Sequence, residues 1–249
     1  MKEKVRALVN SKVFHRCVIA LIIVLIAFSC LLITLKYNVE GEKNMPFKIE
    51  KISIISTSEA VDNIENKTHK WEYTINQVND VYIYIDEDIT SNKELMLKEV
   101  MIENFIIEGI RTKDIQVFRP SVNEGKKMFN NNIENITSKI IFKPQEIADI
   151  KNLSVSYKGG MIGFRVSNSN ISVLASNEEE VNHNELLKTS LVKKEDLEID
   201  VTFDLKIKLS DDITYLGNLE ITLPVGDVIN EGTTSIEKSN IKKAIFKRI

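Results

Sequence analysis

The sequence predicts an all-β domain, mainly an antiparallel β-sandwich, preceded by one N-terminal transmembrane α-helix. Three observations carry this. Cys17 to Leu35 is a run of nineteen residues without a charge. Leu197 to Leu209 alternates apolar and polar positions without one error. Roughly ten short β-prone runs follow one another at 8–15-residue spacing, divided by turn-forming residues, a rhythm typical of sandwiches.

The apolar run comes first in the chain. At about 1.5 Å per residue it spans roughly 28 Å, close to the roughly 30 Å hydrocarbon core of a bilayer. Cys17 and Leu35 bound it, with Leu21 and Ile26 among the side chains that would meet lipid. Lys2, Lys4, Arg6, Lys12 and Arg16 precede it, offset only by Glu3, whereas Lys36 alone follows directly. Basic residues are retained on the cytoplasmic side. Residues 1–16 are therefore expected inside as a short basic tail, 17–36 in the membrane, and everything from 37 onward outside.

The anchor is expected to stay attached. A cleaved signal has an apolar core of about 7–15 residues and a small-x-small site; Lys36-Tyr-Asn-Val-Glu40 offers none. Ala27, Ser29 and Cys30 faintly resemble a lipoprotein box, but Phe28 is bulky and cleavage there would leave Leu31-Leu-Ile-Thr-Leu35 as a new apolar terminus. No Gly precedes the run and no Glu sits near its start, as a prepilin would require. Lys36 and Tyr37 suit the outer interface, one by snorkelling and one by its amphipathic ring. Without a Gly-x-x-x-Gly pair, nothing in the span points to close helix pairing.

Residues 37–47 read as a juxtamembrane linker and 48–249 as the extracellular β-sandwich. Both cysteines fall in the anchor, so the outer part has no disulfide, and about 200 residues are enough to bury a core without one. That absence, with abundant Ile, Lys and Asn suggesting an AT-rich genome, points to a bacterium. The triplets at Asn66, Asn135, Asn152 and Asn170 are then chance matches to a glycan acceptor pattern.

From Lys48 onward the period is two. Ile49–Ser56 and Trp71–Ile75 read as strands, and Val81-Tyr-Ile-Tyr-Ile85, β-branched or aromatic throughout, as a central one covered on both faces. Lys93 to Ile107 reads two ways: Leu97, Val100, Met101 and Phe105 would form a helical stripe, while β-branched content and Gly109 favour a strand. Ile115–Phe118 and Lys139–Phe142 follow, with the polar stretch 123–132 between them as either a boundary between two subdomains or a loop. Lys158-Gly-Gly160 turns Leu153–Tyr157 into Met161–Val166, and Ile171–Leu174 completes that group. The acidic stretch 177–196 holds a short helix around Glu185–Thr189. Leu197–Leu209, broken at Ser210-Asp-Asp212, then pairs with Tyr215–Val225 as a hairpin.

The outer part carries 27 basic against 35 acidic side chains, a balance of about −8, which disfavours nucleic acid as a partner. The C-terminal Lys242, Lys243, Lys247 and Arg248 read as a closing strand or solvated tail. No catalytic, cofactor or metal residue is assigned. His15 belongs to the basic flank, and His69 and His183 lack the spacing of a zinc pair. Asp86-Glu-Asp88, Glu178-Glu-Glu180 and Asp211-Asp212 cluster carboxylates without the loop spacing that calcium uses. Trp71 reads as core or interface rather than a sugar platform.

The layout of basic tail, single helix and outer β-domain resembles in outline that of many bacterial bitopic envelope proteins, among them division-complex subunits, secretion-system components and adaptors. The expected function is protein–protein interaction or scaffolding in a bacterial envelope, without catalysis. Lipid and an envelope protein would be the partners. A wall-active enzyme and a calcium- or glycan-binding module are the two competing readings.

Overall fold

The computed structural model describes residues 12–42, 44–65, 71–89, 91, 94–110, 114–121, 128–149, 153–176, 181–239 and 244–249. The chain divides into two compact units, Met1–Lys43 and Asn44–Ile249. The first contains helix α1 (Lys12–Glu40), 29 residues with none buried. It is the one helix among the described residues long and apolar enough to cross a membrane. It extends past Leu35 through Lys36, Tyr37 and Glu40, and Thr34 Oγ1 donates to Cys30 O at 2.9 Å. That bond satisfies the only hydroxyl in the second half of the span other than Ser29.

The second unit is an antiparallel two-sheet fold, as the alternation predicts. Sheet A contains β1 (Phe47–Glu65), β2 (Trp71–Glu87), β4 (Ile115–Phe118), β6 (Val155–Ser156), β7 (Gly159–Ser176) and β10 (Thr233–Lys238). Its order is β10-β1-β2-β7-β4, with β6 also on β7. Sheet B contains β3 (Leu97–Gly109), β5 (Lys139–Phe142), β8 (Ile199–Leu209), β9 (Thr214–Leu223) and β11 (Phe246–Arg248), in the order β11-β9-β8-β3-β5. β2 is central, as Val81–Ile85 predicts. Val81, Ile83 and Ile85 face the core, while Tyr82 and Tyr84 are half-buried on the other face.

β3 settles the ambiguous segment as a strand, interrupted twice by register shifts, between Leu97 and Glu99 and between Glu103 and Ile106. Asn104, at φ 57°, lies in the second. Each extra residue reverses the in–out phase. β8 is nearly as predicted, with Ile199, Val201, Phe203, Leu205, Ile207 and Leu209 all buried. It starts two residues later than the alternation suggests, because Leu197 ends a short helix, α3 (Lys194–Leu197). The helix expected around Glu185–Thr189 is α2 (Leu186–Thr189). A further turn of helix, α4 (Val228–Glu231), joins β9 to β10.

Register fixes which strand ends lie together. Phe47 pairs with Glu87, Asp86 with Gly159, Leu97 with Leu209, and Arg248 with Tyr215. Leu97 N donates to Tyr157 O, joining the two sheets here, and Ser210 N donates to Met96 O beside the β3–β8 pair. This near end is where the chain enters β1. The far end holds the start of β2 at Trp71, the β9–β10 connection and helices α2, α3 and α4.

The main core lies between the sheets, with Phe105, Phe164 and Phe203 stacked edge-to-face or tilted at 5.0–5.9 Å between ring centres. A smaller core of Ile75, Ile171, Leu186, Leu187, Leu197 and Val228 sits under the far-end helices. A buried polar layer crosses the sandwich there. Asn79 exchanges amide hydrogen bonds with Gln77 at 2.7 and 2.9 Å, and Ser56 Oγ donates to Asn79 Oδ1 at 2.6 Å. Ser56 Oγ in turn accepts from Val225 N at 2.9 Å, and Thr234 Oγ1 donates to Val225 O. Buried polar groups must find partners, and these bonds tie the β9–β10 connection to sheet A.

Candidate functional site

α1 leaves Cys17, Leu21, Ile26 and Leu35 exposed, along with every other apolar side chain of the span. Such a surface is unstable in water and fits a lipid solvent. The helix is therefore a candidate membrane anchor. Lys12 and Arg16 stand in its first turns. Lys2, Lys4 and Arg6 lie outside the described residues.

The β-domain has two outer faces, and they differ. On sheet A, Arg165 is 7% exposed. Its Nε and Nη2 donate to the two carboxylate oxygens of Asp80 at 2.6 and 3.0 Å, and Nη1 donates to Asn131 Oδ1 at 3.2 Å. Glu59 lies 3.7 Å away. Phe129 caps the group, 5.5 Å from the guanidinium carbon and 6.1 Å from the Tyr82 ring. Burial opposes the guanidinium charge, but the Asp80 hydrogen bonds and the charges of Asp80 and Glu59 outweigh it and hold Arg165 above its ordinary pKa. Burial, with the nearby Asp80 charge, pushes the Tyr82 phenol up to about 12. The polar stretch 123–132 serves, over its described residues 128–132, as a strap held to the sheet by this cluster.

On sheet B the outer face is open. Glu103 bridges Lys206 at 2.6 Å and Lys139 at 3.3 Å, and Asp212 bridges Lys98 at 2.6 Å and Lys208 at 3.2 Å. Asp204 accepts from Asn104 and Asn218, and Asp200 from Thr222. These are cross-strand pairs of a solvated sheet. A shallow groove of about 250 Å³ runs among Glu99, Met101, Glu103, Lys139, Lys206 and Lys208.

The clusters named from sequence are accounted for in part. Asp211 accepts from the Ile213 amide, and Asp86 from the Glu87 amide. The His183 carbonyl accepts from Ser58 Oγ at 3.2 Å. His69 and Glu178–Glu180 lie outside the described residues, among which no group of three His, Cys, Asp or Glu could hold a metal. Trp71 is half-buried at the start of β2, level with Ser176 of β7.

The sheet edges are the remaining candidates. Central strands of ten to nineteen residues are flanked by edge strands of two to six. On one side of β9, β11 covers only Tyr215–Gly217, and among the described residues no strand pairs with Asn218–Leu223 there. Leu209 N donates to Ile213 O, which sets the alternation of the β8–β9 ladder. Even-numbered residues of β9 thus turn their backbone groups toward the β11 side; Thr214 O accepts from Ile249 N accordingly. Asn218, Glu220 and Thr222 turn theirs to the same side, where no described residue pairs with them as a strand. β9 pairs with β8 without a bulge. At its far end a groove of about 680 Å³ opens beside Thr222, between Lys194, Glu198, Pro224, Asp227 and Ile229. Sequence reasoning missed this edge because which residues of β9 are paired there depends on the length of β11, three residues.

Comparison with family models, curated proteins and solved structures found no match to this chain.

Proposed function

We propose that this chain is a single-pass protein of a bacterial cell envelope, with its N-terminus cytoplasmic and its β-sandwich outside. It works without catalysis, binding an extended segment of an envelope protein along the open edge of β9. The observation that carries the reading is the bulge-free stretch Asn218–Leu223, which has no strand partner on its β11 side among the described residues and lies beside a groove. Backbone groups of Asn218, Glu220 and Thr222 supply the affinity of strand addition, and the groove with Ile229 and Pro224 supplies side-chain selectivity. The anchor confines this edge to the membrane plane and so raises its effective concentration toward a membrane partner. Asp212, Glu103 and Asp80 are each engaged by a cation, which favours interaction over hydrolysis at these acids. The cation-rich flank before Cys17 supports the orientation.

The test is a photo-crosslinking side chain at Thr222 of the full-length protein in its native membrane. One discrete envelope protein should be captured, and Glu220→Pro should abolish capture while leaving the fold intact. Proline is tolerated where the amide faces an open edge. Capture unaffected by Glu220→Pro sinks strand addition. No capture, with release of wall fragments by the purified full chain, sinks the non-enzymatic reading.

A further inference from the structure

We propose that the near end of the sandwich lies against the outer surface of the bilayer, with Ile89, Met96, Ile147 and Tyr157 set into the lipid interface. This rests on the anchored reading above and adds a second, lipid-binding surface to it. Ile89 is 94% exposed, Ile147 81%, Met96 56% and Tyr157 44%. All four belong to near-end connections: Ile89 follows β2, Met96 precedes β3, Ile147 precedes β6, and Tyr157 forms the β6–β7 turn. Tyr157 has the amphipathic ring favoured at a membrane interface.

Exposure alone does not choose this end. Ile110, Val173 and Leu191 are exposed at the far end as well. Reach and charge choose it. Met45 is buried in the main core, five residues after Glu40, the last residue of α1. Five extended residues span at most about 18 Å. That chain length ties Met45, and with it the Phe47 end of β1, to the last residue of α1.

The charge separates the ends further. The described near-end segments 44–48, 86–89, 94–98, 143–149, 153–158, 208–213 and 247–249 hold eight acidic and seven basic residues. The far-end segments 71–75, 106–110, 171–176, 181–200 and 220–234 hold ten acidic and three basic. An anionic membrane surface repels the far end and is nearly indifferent to the near one. Tether, apolar tips and charge therefore select the same orientation.

The test uses the full chain in vesicles of phosphatidylcholine with brominated acyl chains, which quench tryptophan on contact. Trp71, the only native tryptophan, is at the far end and serves as the built-in reference. In a Trp71→Phe background, Ile89→Trp and Ile147→Trp should each lose about twofold in fluorescence relative to unbrominated lipid, as expected for interfacial rings. Native Trp71 and Leu191→Trp should not. Equal quenching at both ends, or none at the near end, overturns the proposal.

A second measurement spares the fold: in the unsubstituted chain, lipid with a nitroxide headgroup should broaden the methyl signals of Ile89 and Ile147 and leave Ile110 and Leu191 sharp. The reverse pattern, or no broadening, is equally decisive against it. Retention of the protein through an alkaline carbonate wash separates the two claims. Release overturns the anchored reading, whereas retention without near-end quenching overturns the lipid contact alone.

Discussion

The two sheets put the same chemistry on their outer faces and use it differently. On sheet A, Arg165 and Asp80 are covered by Phe129 and Asn131, with Glu59 at the exposed margin, so the guanidinium depends on its carboxylate partner. On sheet B, Glu103 and Asp212 each bridge two lysines, and the lysine side chains stay a quarter to a half exposed. Water can replace any partner there. The contrast teaches that an ion pair's role here is set by what covers it. On A the pair fastens a strap; on B it keeps an open face polar and soluble.

Removing one sealed partner should break the comparison most strongly. Asp80→Ala leaves the Arg165 guanidinium buried without its bidentate acceptor, a change expected to cost about 3–5 kcal/mol. Urea unfolding measures it. Adding Arg165→Met should recover much of the loss, because a buried pair replaced as a whole by apolar groups is often neutral. If Asp80→Ala costs less than about 1 kcal/mol, the scale of an exposed pair, the cluster is not sealed and the contrast between the faces fails.

Phe129→Ala comes next. The ring is 1% exposed, and such truncations cost about 3–5 kcal/mol, at the low end where the site can collapse. The strap is short enough to settle, so about 3 kcal/mol is expected. The same variant should expose residues 128–132 to limited proteolysis, whereas a change confined to sheet B should not. An unchanged cleavage pattern would show that the strap is held elsewhere.

What the sequence discloses follows the same division. β8 and β9 are legible because one face is dry and the other wet, so every second residue reports its side. β3 is not, because its two shifts space the inward Leu97 from Val100 and Ile102 from the core-packed Phe105 by three residues, imitating a helical stripe. The apolar helix is legible from Cys17 to Leu35, although it runs on to Lys12 and Glu40 at its ends. The Arg165 cluster is not, since Asp80 and Arg165 are 85 positions apart and Phe129 stands in a stretch that composition marks as polar. Gln77 and Asn79 are equally silent: in sequence they look like surface residues, and only the register of β1 against β2 sets Ser56 beside Asn79. That Asn218–Leu223 has no strand partner on its β11 side among the described residues is illegible for a third reason, because it depends on the neighbouring strand's length.

Alkali should separate the faces more gently. Tyr82 is neutral in folded and unfolded chains below pH 10.0. Above it the unfolded phenol ionises first, because burial holds the folded one up to about 12. Stability present below pH 10 is therefore lost between pH 10 and about 12. Tyr82→Phe should flatten that part of the pH–stability curve, read from thermal melts. A variant curve that falls as steeply as the parent's assigns the loss to other groups.

The smallest effects belong to sheet B, and they complete the comparison from its other side. The Lys206 hydrogen bond outweighs burial and, with Lys139, holds Glu103 below its ordinary 4.5. A lowered carboxylate stabilises the fold above its unfolded pKa, and that contribution is lost as pH falls through the folded value. Glu103→Gln should therefore cost less than about 1 kcal/mol near neutrality, with parent and variant converging both as pH falls below 4.5 and as salt is raised. Asp212→Asn, fully exposed beside Lys98 and Lys208, should change the urea midpoint less than Glu103→Gln does. A salt-resistant loss at Glu103 would mean that its face is covered in solution, and the surface taken here as open would itself be an interface.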